Sequence, residues 1–390
     1  MKVKARTLIP MLILVAVCLI APVNTAYAKY RSLSDQELAQ KFAPVLYFHP
    51  AEIFRPQPVD VLVNTARLRE QRRFWFDINV LPNVSISDLF NYRAENFFLD
   101  AWNSSEGSSD SMNYSSHRTY YQNALSPEAG GPPIATYARV VRDEPSGYTS
   151  IQYWLFYYYN DWFNKHEGDW EMAQVILGET EEPEWMVLSQ HHGGTRRPWN
   201  MVLVEQGTHP AIYIGLGSHA NYFWGNEIYP NGKVIGNARV EIMDRTGTFD
   251  RVIPEVIPIP DLSGAEENLI DFSGWEWIVF AGHWGETAQQ SDFAGPYGPA
   301  YKGKQWEHPY AWGISQPLDT DIWYANRLRV EVKGDAANIK LSSSRSDLLE
   351  SADALGGLAL LHRDPVADEI ITAEIEVAPG RPYSIAATWP

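Results

Sequence analysis

Asn164-Lys165-His166-Glu167-Gly168-Asp169-Trp170-Glu171 stands between two runs patterned as β-strands, Thr149–Tyr159 and Asp169–Leu177. Side chains alternate across a strand, so Asp169 and Glu171 share one face of the second run and Trp170 and Met172 share the other. Working outward, Ala135–Arg142, Trp185–Gln190, Met201–Glu205 and Ala211–Leu216 also read as strands, separated by turns carrying Gly, Pro or Asn. Short connections favour an antiparallel meander. In that arrangement three loops meet at one end of the sheet: 160–168, His191-His192-Gly193-Gly194 and Gly217-Ser218-His219-Ala220-Asn221. The turns at the other end hold Gly178, Glu181, Pro183 and a single histidine, His209.

That asymmetry locates a candidate site. Asp169 and Glu171, with His166 from the loop and Asp161 from the end of the preceding strand, form a set of hard oxygen donors plus one imidazole. Such a set suits a divalent cation, Ca²⁺ or Mg²⁺ ahead of Zn²⁺ or Mn²⁺; imidazoles from His191 or His219 would move the preference toward Zn²⁺. Glu167 and His192 are further candidates. Trp162 and Phe163 flank the loop, and Trp224 is a similar case; all three are candidates to dip into a membrane interface or stack on a sugar. The run Tyr153–Tyr159 reads as core and cross-strand packing.

The remaining chain supports a mainly β protein. Hydrophobic residues at 45% and aromatics at 13% exclude a disordered chain. Fifteen Trp and 21 Tyr suit pleated surfaces. Ser34 and Glu37 form a capping-box pattern that opens a short helix ending before Pro44. Val45–Phe48 reads as a strand, Thr65–Arg72 as a helix, Phe74–Val80 and Trp275–Ala281 as strands. Residues 91–133 are a Ser/Asn/Gly/Pro-rich excursion. After Trp323 a small β module is expected over 323–390, with strands at Arg327–Val332, Ile339–Leu341, Ala359–His362, Ile370–Val377 and Tyr383–Thr388 and a helix near Ser346–Leu355.

Lys2, Lys4 and Arg6, the apolar run Leu8–Ala21 and Ala26-Tyr27-Ala28 form a signal-peptide pattern over 1–28, with cleavage expected after Ala28. The mature chain is then secreted, periplasmic or extracellular, and has no other run long enough to span a bilayer. The single cysteine, Cys18, leaves with the signal, so no disulfide is available. Loss of three basic residues and no acid takes the formal charge from −17 to −20. That acidity excludes a nucleic-acid partner and direct attraction to anionic lipid without a bridging cation. Gly215–Ala220 matches G-x-G-x-x-A but opens no helix, Ser218 lacks the G-x-S-x-G elbow, and His166-Glu167 has Trp170 where a second zinc histidine would stand. No catalytic motif is complete, and the chain reads as a binding protein more than an enzyme.

Several stretches resemble the Vps62-related family: Ala43-Pro44-Val45-Leu46, Tyr153–Tyr157, His166–Glu171, Ile212–Ala220, His283-Trp284-Gly285 and Gly295–Pro299 before Trp306. The resemblance spans roughly 39–309 and implies one domain over 29–322. Lys165–Glu171 also resembles the G-H-R-H-D-W-E heptapeptide of necrosis- and ethylene-inducing-like proteins, secreted β-sandwich cytolysins. In that family a divalent cation at the motif helps engage sphingolipid head groups, and His166, Asp169 and Glu171 match its cation residues; Asp161 stands for its loop aspartate. Gly168 and Glu167 depart from the family's second histidine and its arginine.

These readings combine into an expectation. The protein is an antiparallel β-sandwich with few short helices and a small C-terminal β module. Its expected role is divalent-cation-dependent binding of a membrane or cell-surface glycolipid or glycan, to which the resemblance adds a cytolysin-like action. The alternatives are a metal-dependent hydrolase of a phosphoester or glycoconjugate, with Glu167 or Glu171 as base, and a non-catalytic sorting or scaffold module.

Overall fold

The structure, a computed structural model, describes residues 33–72, 77–101, 114–143, 145–191, 193–225, 228–235, 238–261, 273–287, 294–319 and four C-terminal strands. By its internal contacts the chain divides into two units, Met1–Leu33 and Ser34–Pro390. The signal segment, the Ala359–His362 strand and the Ser346–Leu355 helix expected from sequence lie outside the described residues.

In chain order the strands are β1 (Val45–Phe48), β2 (Ala66–Gln71), β3 (Asp77–Leu81), β4 (Phe97–Ala101), β5 (Ala135–Asp143), β6 (Tyr148–Asn160), β7 (His166–Leu177), β8 (Pro183–Gln190), β9 (Gly193–Pro198), β10 (Val204–Glu205), β11 (His209–Ile214) and β12 (Asn221–Tyr222). They continue with β13 (Ile228–Ile235), β14 (Ala238–Arg245), β15 (Asp250–Val252), β16 (Glu255–Pro258), β17 (Asn326–Lys333), β18 (Asn338–Ser343), β19 (Ile370–Val377) and β20 (Tyr383–Thr388). The largest sheet runs β16-β5-β6-β7-β8-β9. A second sheet orders β10-β11-β1-β15, with β12 against β11, and a third orders β3-β2-β4. β13 and β14 form a hairpin, and the C-terminal strands pair β17 with β19 and β18 with β20. The fold is mainly β, as expected, with short helices at Asp35–Lys41, Asp60–Val63, Tyr114–Tyr120, Lys304–Glu307 and Pro309–Ser315.

The β6–β7 hairpin is the backbone of the large sheet, in register from Thr149↔Leu177 to Asn160↔His166. Nearly every residue of both strands is buried, because both faces are covered. On one face Trp170 stacks on Trp277 at 5.5 Å between centroids, and Phe156 meets Trp284 at 5.1 Å. Farther along that face Gln152 and Gln174 donate to the carbonyls of Gln305 and Pro309 at 2.7 and 3.0 Å. The opposite face carries Tyr153, whose hydroxyl donates to Ala39 O, then Tyr157, Asp169 and Glu171. The tyrosine run is core, as its pattern predicts.

The sequence reading needs four corrections. Residues 65–72 form β2, not a helix: Arg67 and Arg69 project to one side and both bind Asp100 Oδ2 on β4, at 2.7 and 2.9 Å, which fixes an extended backbone. Residues 275–281 hold a 3₁₀ turn, Glu276–Val279, because Trp277 is drawn between Tyr137 and Trp170 instead of joining a sheet. The strand expected at 201–205 shrinks to β10, and the descending partner of β8 is β9, whose Gly-Gly-Thr-Arg-Arg-Pro sequence reads as a turn. Finally, β11 leaves the meander and pairs in parallel with β1, Val45 opposite Ala211.

β9 is held from outside the sheet. Arg196 N donates to Pro317 O, Asp319 N donates to Arg196 O, and Arg197 pairs with Asp319 at 2.6 Å. The Arg197 guanidinium is buried between Phe223 and Trp224, 4.5 and 4.2 Å from their centroids. Removing Asp319 strands a buried charge, so Asp319→Ala is expected to lower unfolding free energy by about 2 kcal/mol in urea titration. A change within about 0.5 kcal/mol, the size of an ordinary surface substitution, would contradict this account.

Candidate functional site

β7 enters its sheet through Gly168, and the entry decides which carboxylates meet. Gly168 has φ +60°, and a Cβ there would lie 2.0 Å from the Trp284 carbonyl oxygen. Only glycine fits both demands. The left-handed residue turns Glu167 away from Asp169 although an unbroken strand would place both on one side. Glu167 accepts from Ala101 N and Glu286 N, each at 3.2 Å, and its Oε1 lies 3.7 Å from His117 Nε2. Burial first, then Asp100 and Glu286, raise its carboxyl well above the usual range, and its partners lie apart from Asp169 and Glu171. Glu167 is thereby removed as a ligand.

Asp169 and Glu171 stay on the face predicted for them and are joined by His219. That imidazole is completely buried; its Nδ1 lies 3.0 Å from Asp169 Oδ2 and its Nε2 3.8 Å from Glu52 Oε1. Its ring lies flat on Tyr157, 3.8 Å between centroids at 5°. Burial pulls its pKa down, but the two carboxylates prevail and raise it to about 9. His219 therefore stands as an imidazolium strut between Asp169 and Glu52. Glu52 also accepts from Phe54 N at 2.9 Å and Gly217 N at 2.7 Å, tying the loop after β1 to the loop after β11.

Asp169 is held below its ordinary range: burial would raise it, but His219 outweighs burial. Glu171 goes the other way, to about 8, raised by burial and then by Asp169. Ser189 Oγ donates to Glu171, and the half-buried Lys302, lowered by burial, is felt by both carboxylates. Among the described residues no donor reaches Asp169 Oδ1 or Glu171 Oε1. His166 stands at the start of β7, within reach of the Asp169 charge. Its Nδ1 faces the Gly168 carbonyl at 2.8 Å and so must carry the proton, while burial keeps the ring neutral. The lone pair is left on Nε2, the usual state of a metal-ligating histidine whose other nitrogen is anchored.

The other predicted residues are distributed as follows. Asp161 is not with Asp169; it pairs with Lys165. His191 binds Asp244 through Nε2 at 2.7 Å and stacks on Trp162 at 4.5 Å. Trp162 is half-buried and Phe163 is 38% exposed, so the loop aromatics do line the surface. Trp224 does not: it is buried over Arg197, which corrects its placement among contact residues. His192 lies outside the described residues. His191 and His219 both adopt φ +53°, a strained conformation for histidine that persists only where surrounding contacts enforce it.

The three-loop convergence thus holds, by a different route from the meander. Sequence reasoning missed Glu52, Ser189, Lys302 and Asp244. Glu52 sits between Pro50 and Pro56 in a stretch that reads only as interrupted, and Asp244 is on a hairpin far along the chain. Neither carries a local signal.

Among the described residues, no group of three or more His, Cys, Asp or Glu side chains is arranged to hold a metal ion. No protein-family model and no curated protein matches the chain. Similar solved structures include Necrosis and Ethylene inducing Protein 2 from the causal agent of cocoa's Witches Broom disease, 15% identical with a TM-score of 0.29, covering 58% of this chain and 74% of that one. NLPPya in complex with glucosamine is 15% identical with a TM-score of 0.28, over 57% and 73%. The non-toxic HaNLP3 protein is 13% identical with a TM-score of 0.28, over 61% and 82%. The family name read from the heptapeptide thus recurs among the structures, whereas the Vps62-related resemblance stands on its motifs alone. Likeness this low assigns neither activity nor ligand.

Proposed function

We propose that this chain is a divalent-cation-dependent binding protein for membrane glycolipid head groups or cell-surface glycans. The observation that carries the reading is the Asp169–Glu171 pair: two adjacent buried carboxylates, each with one oxygen free of described donors, on the strand that follows the loop bearing Trp162 and Phe163. Two carboxylates suit a cation that keeps most of its waters, as Mg²⁺ does. Asp169 Oδ1 and Glu171 Oε1 are the atoms that would hold it. A bound cation would supply positive charge that keeps both carboxylates ionised and presents exchangeable waters to sugar hydroxyls. Trp162 and Phe163 supply apolar faces for a sugar ring or the outer bilayer.

Cosedimentation with phosphatidylcholine vesicles, with and without a neutral glycosphingolipid, tests this. Binding should need both the glycolipid and Mg²⁺ or Ca²⁺ and should be lost in EDTA. Equal sedimentation with EDTA, or none with any vesicle, would sink the reading. A second reading is favoured by Glu171 alone. A carboxyl held at about 8 has the proton affinity of a general base near neutral pH, which suits a metal-dependent hydrolase. Turnover of chromogenic phosphoester or glycoside substrates that vanishes in Glu171→Gln would establish it.

A further inference from the structure

Asp244 lies at the base of the β13–β14 hairpin, has no solvent exposure, and gathers three side chains from two separate stretches. Its Oδ1 accepts from Ser218 Oγ at 2.5 Å, and its Oδ2 accepts from Tyr222 at 2.5 Å and meets His191 Nε2 at 2.7 Å. Ser218 and Tyr222 flank His219, the strut beneath Asp169. His191 is the seat of Trp162, ring on ring at 4.5 Å and 23°. The residue before Asp244 holds Trp162 a second time, since the indole Nε1 donates to Met243 O at 3.4 Å. One strand end therefore grips the indole at its nitrogen through the backbone and at its face through the Asp244–His191 bond. The same strand end accepts from Leu216 N through Arg245 O at 2.7 Å, and Asp161 N, next to Trp162, donates to Gly217 O at 2.9 Å.

We propose that Asp244 is a positioning residue of the contact surface: by holding His191 it fixes the Trp162 ring in one orientation in the loop that leads into Asp169 and Glu171. The inference rests on the binding function proposed above for its consequence, though not for its geometry. An indole already fixed loses little freedom when a ligand lands on it; a loose one must be ordered at that moment, which weakens binding. The contact is outside the cation's own donors, so its loss should leave cation affinity intact and lower only the affinity for the surface.

The geometry is tested without any ligand. In protein carrying 5-fluorotryptophan, the Trp162 resonance is assigned by its loss in Trp162→Phe. Asp244→Asn keeps the shape but presents an amide N–H₂ to groups that now donate, and it should move and broaden that resonance. Should Asp244→Asn fail to fold, His191→Gln removes the seat while leaving Asp244 its two hydroxyl donors, and the same resonance should move. A Trp162 signal unchanged in either folded variant overturns the proposal. Vesicles of phosphatidylcholine with a neutral glycosphingolipid then read the consequence. Asp244→Asn should bind them roughly tenfold more weakly, and Trp162→Ala/Asp244→Asn no more weakly than Trp162→Ala alone, because the two act through one contact. Independent, additive losses would overturn the link. A moved resonance with no vesicle binding by the unsubstituted protein would leave the positioning role standing and remove the binding function.

Discussion

Asp169→Ala should lose measurable binding of Mg²⁺ and Ca²⁺ in titration calorimetry and lose vesicle binding with it. It should also lower unfolding free energy by roughly 3 kcal/mol, because breaking a buried ion pair strands the remaining charge. The stranded group is His219, completely buried, with Glu52 3.8 Å away as its other carboxylate. The two effects are separable. Asp169→Asn keeps an acceptor for His219 Nδ1 and should recover part of the stability, yet it removes the anionic oxygen a cation needs. Cation affinity equal to the unsubstituted protein in Asp169→Asn would exclude Asp169 as a ligand.

Glu171→Gln should do the opposite to stability. A carboxyl whose folded pKa is raised binds its proton more tightly when folded, so Glu171 weakens the fold increasingly as pH rises from its ordinary value toward about 8. The amide has no charge to repel Asp169, and without cation the variant should be about 2 kcal/mol more stable at pH 9, where the carboxylate is ionised and buried. Below about pH 4.5, where the unfolded carboxyl is also protonated, the two proteins should match. His219 adds a second alkaline limb. Its folded pKa is raised to about 9, so its contribution is whole below about pH 6.5 and is lost as pH rises through 9. That limb should persist in Glu171→Gln and shrink in Asp169→Ala, where Glu52 is left as the partner. Asp169 and Glu52, both depressed, act on the acid side: their contribution is present above the ordinary carboxylate range and is lost as pH falls. Denaturant titrations in EDTA from pH 4 to 10 would show this. Equal stability of Glu171→Gln and the unsubstituted protein at pH 9 would mean that Glu171 is not strained by its neighbour.

The central hairpin was legible in the sequence because its information is local. Period-2 alternation places Asp169 and Glu171 on one face and Trp170 on the other, and the Tyr153–Tyr159 run has the continuous apolar character of a strand covered on both sides. His166 at the strand entry and the surface position of Trp162 and Phe163 followed from the same pattern. The apparent helix at 65–72 failed because its charged sequence makes sense only with Asp100 opposite, 33 residues beyond Arg67. Glycines and a proline disguised β9, which is completed from outside by Asp319, 122 residues beyond Arg197.

Alternation alone also misassigned Glu167, since a single left-handed residue, forced by contact with Trp284, sends it to Ala101 and Glu286. Charge state was beyond the sequence altogether. Asp169 and Glu171 are the same kind of group two residues apart, yet His219 depresses one against its burial, while burial and the Asp169 charge raise the other. Strand period, and with it the pair at the centre of the site, is a property of consecutive residues. Which carboxylate is ionised, which histidine keeps a lone pair and what holds Trp162 depend on side chains brought together across Glu52, Asp244 and Lys302, and only tertiary packing sets those distances.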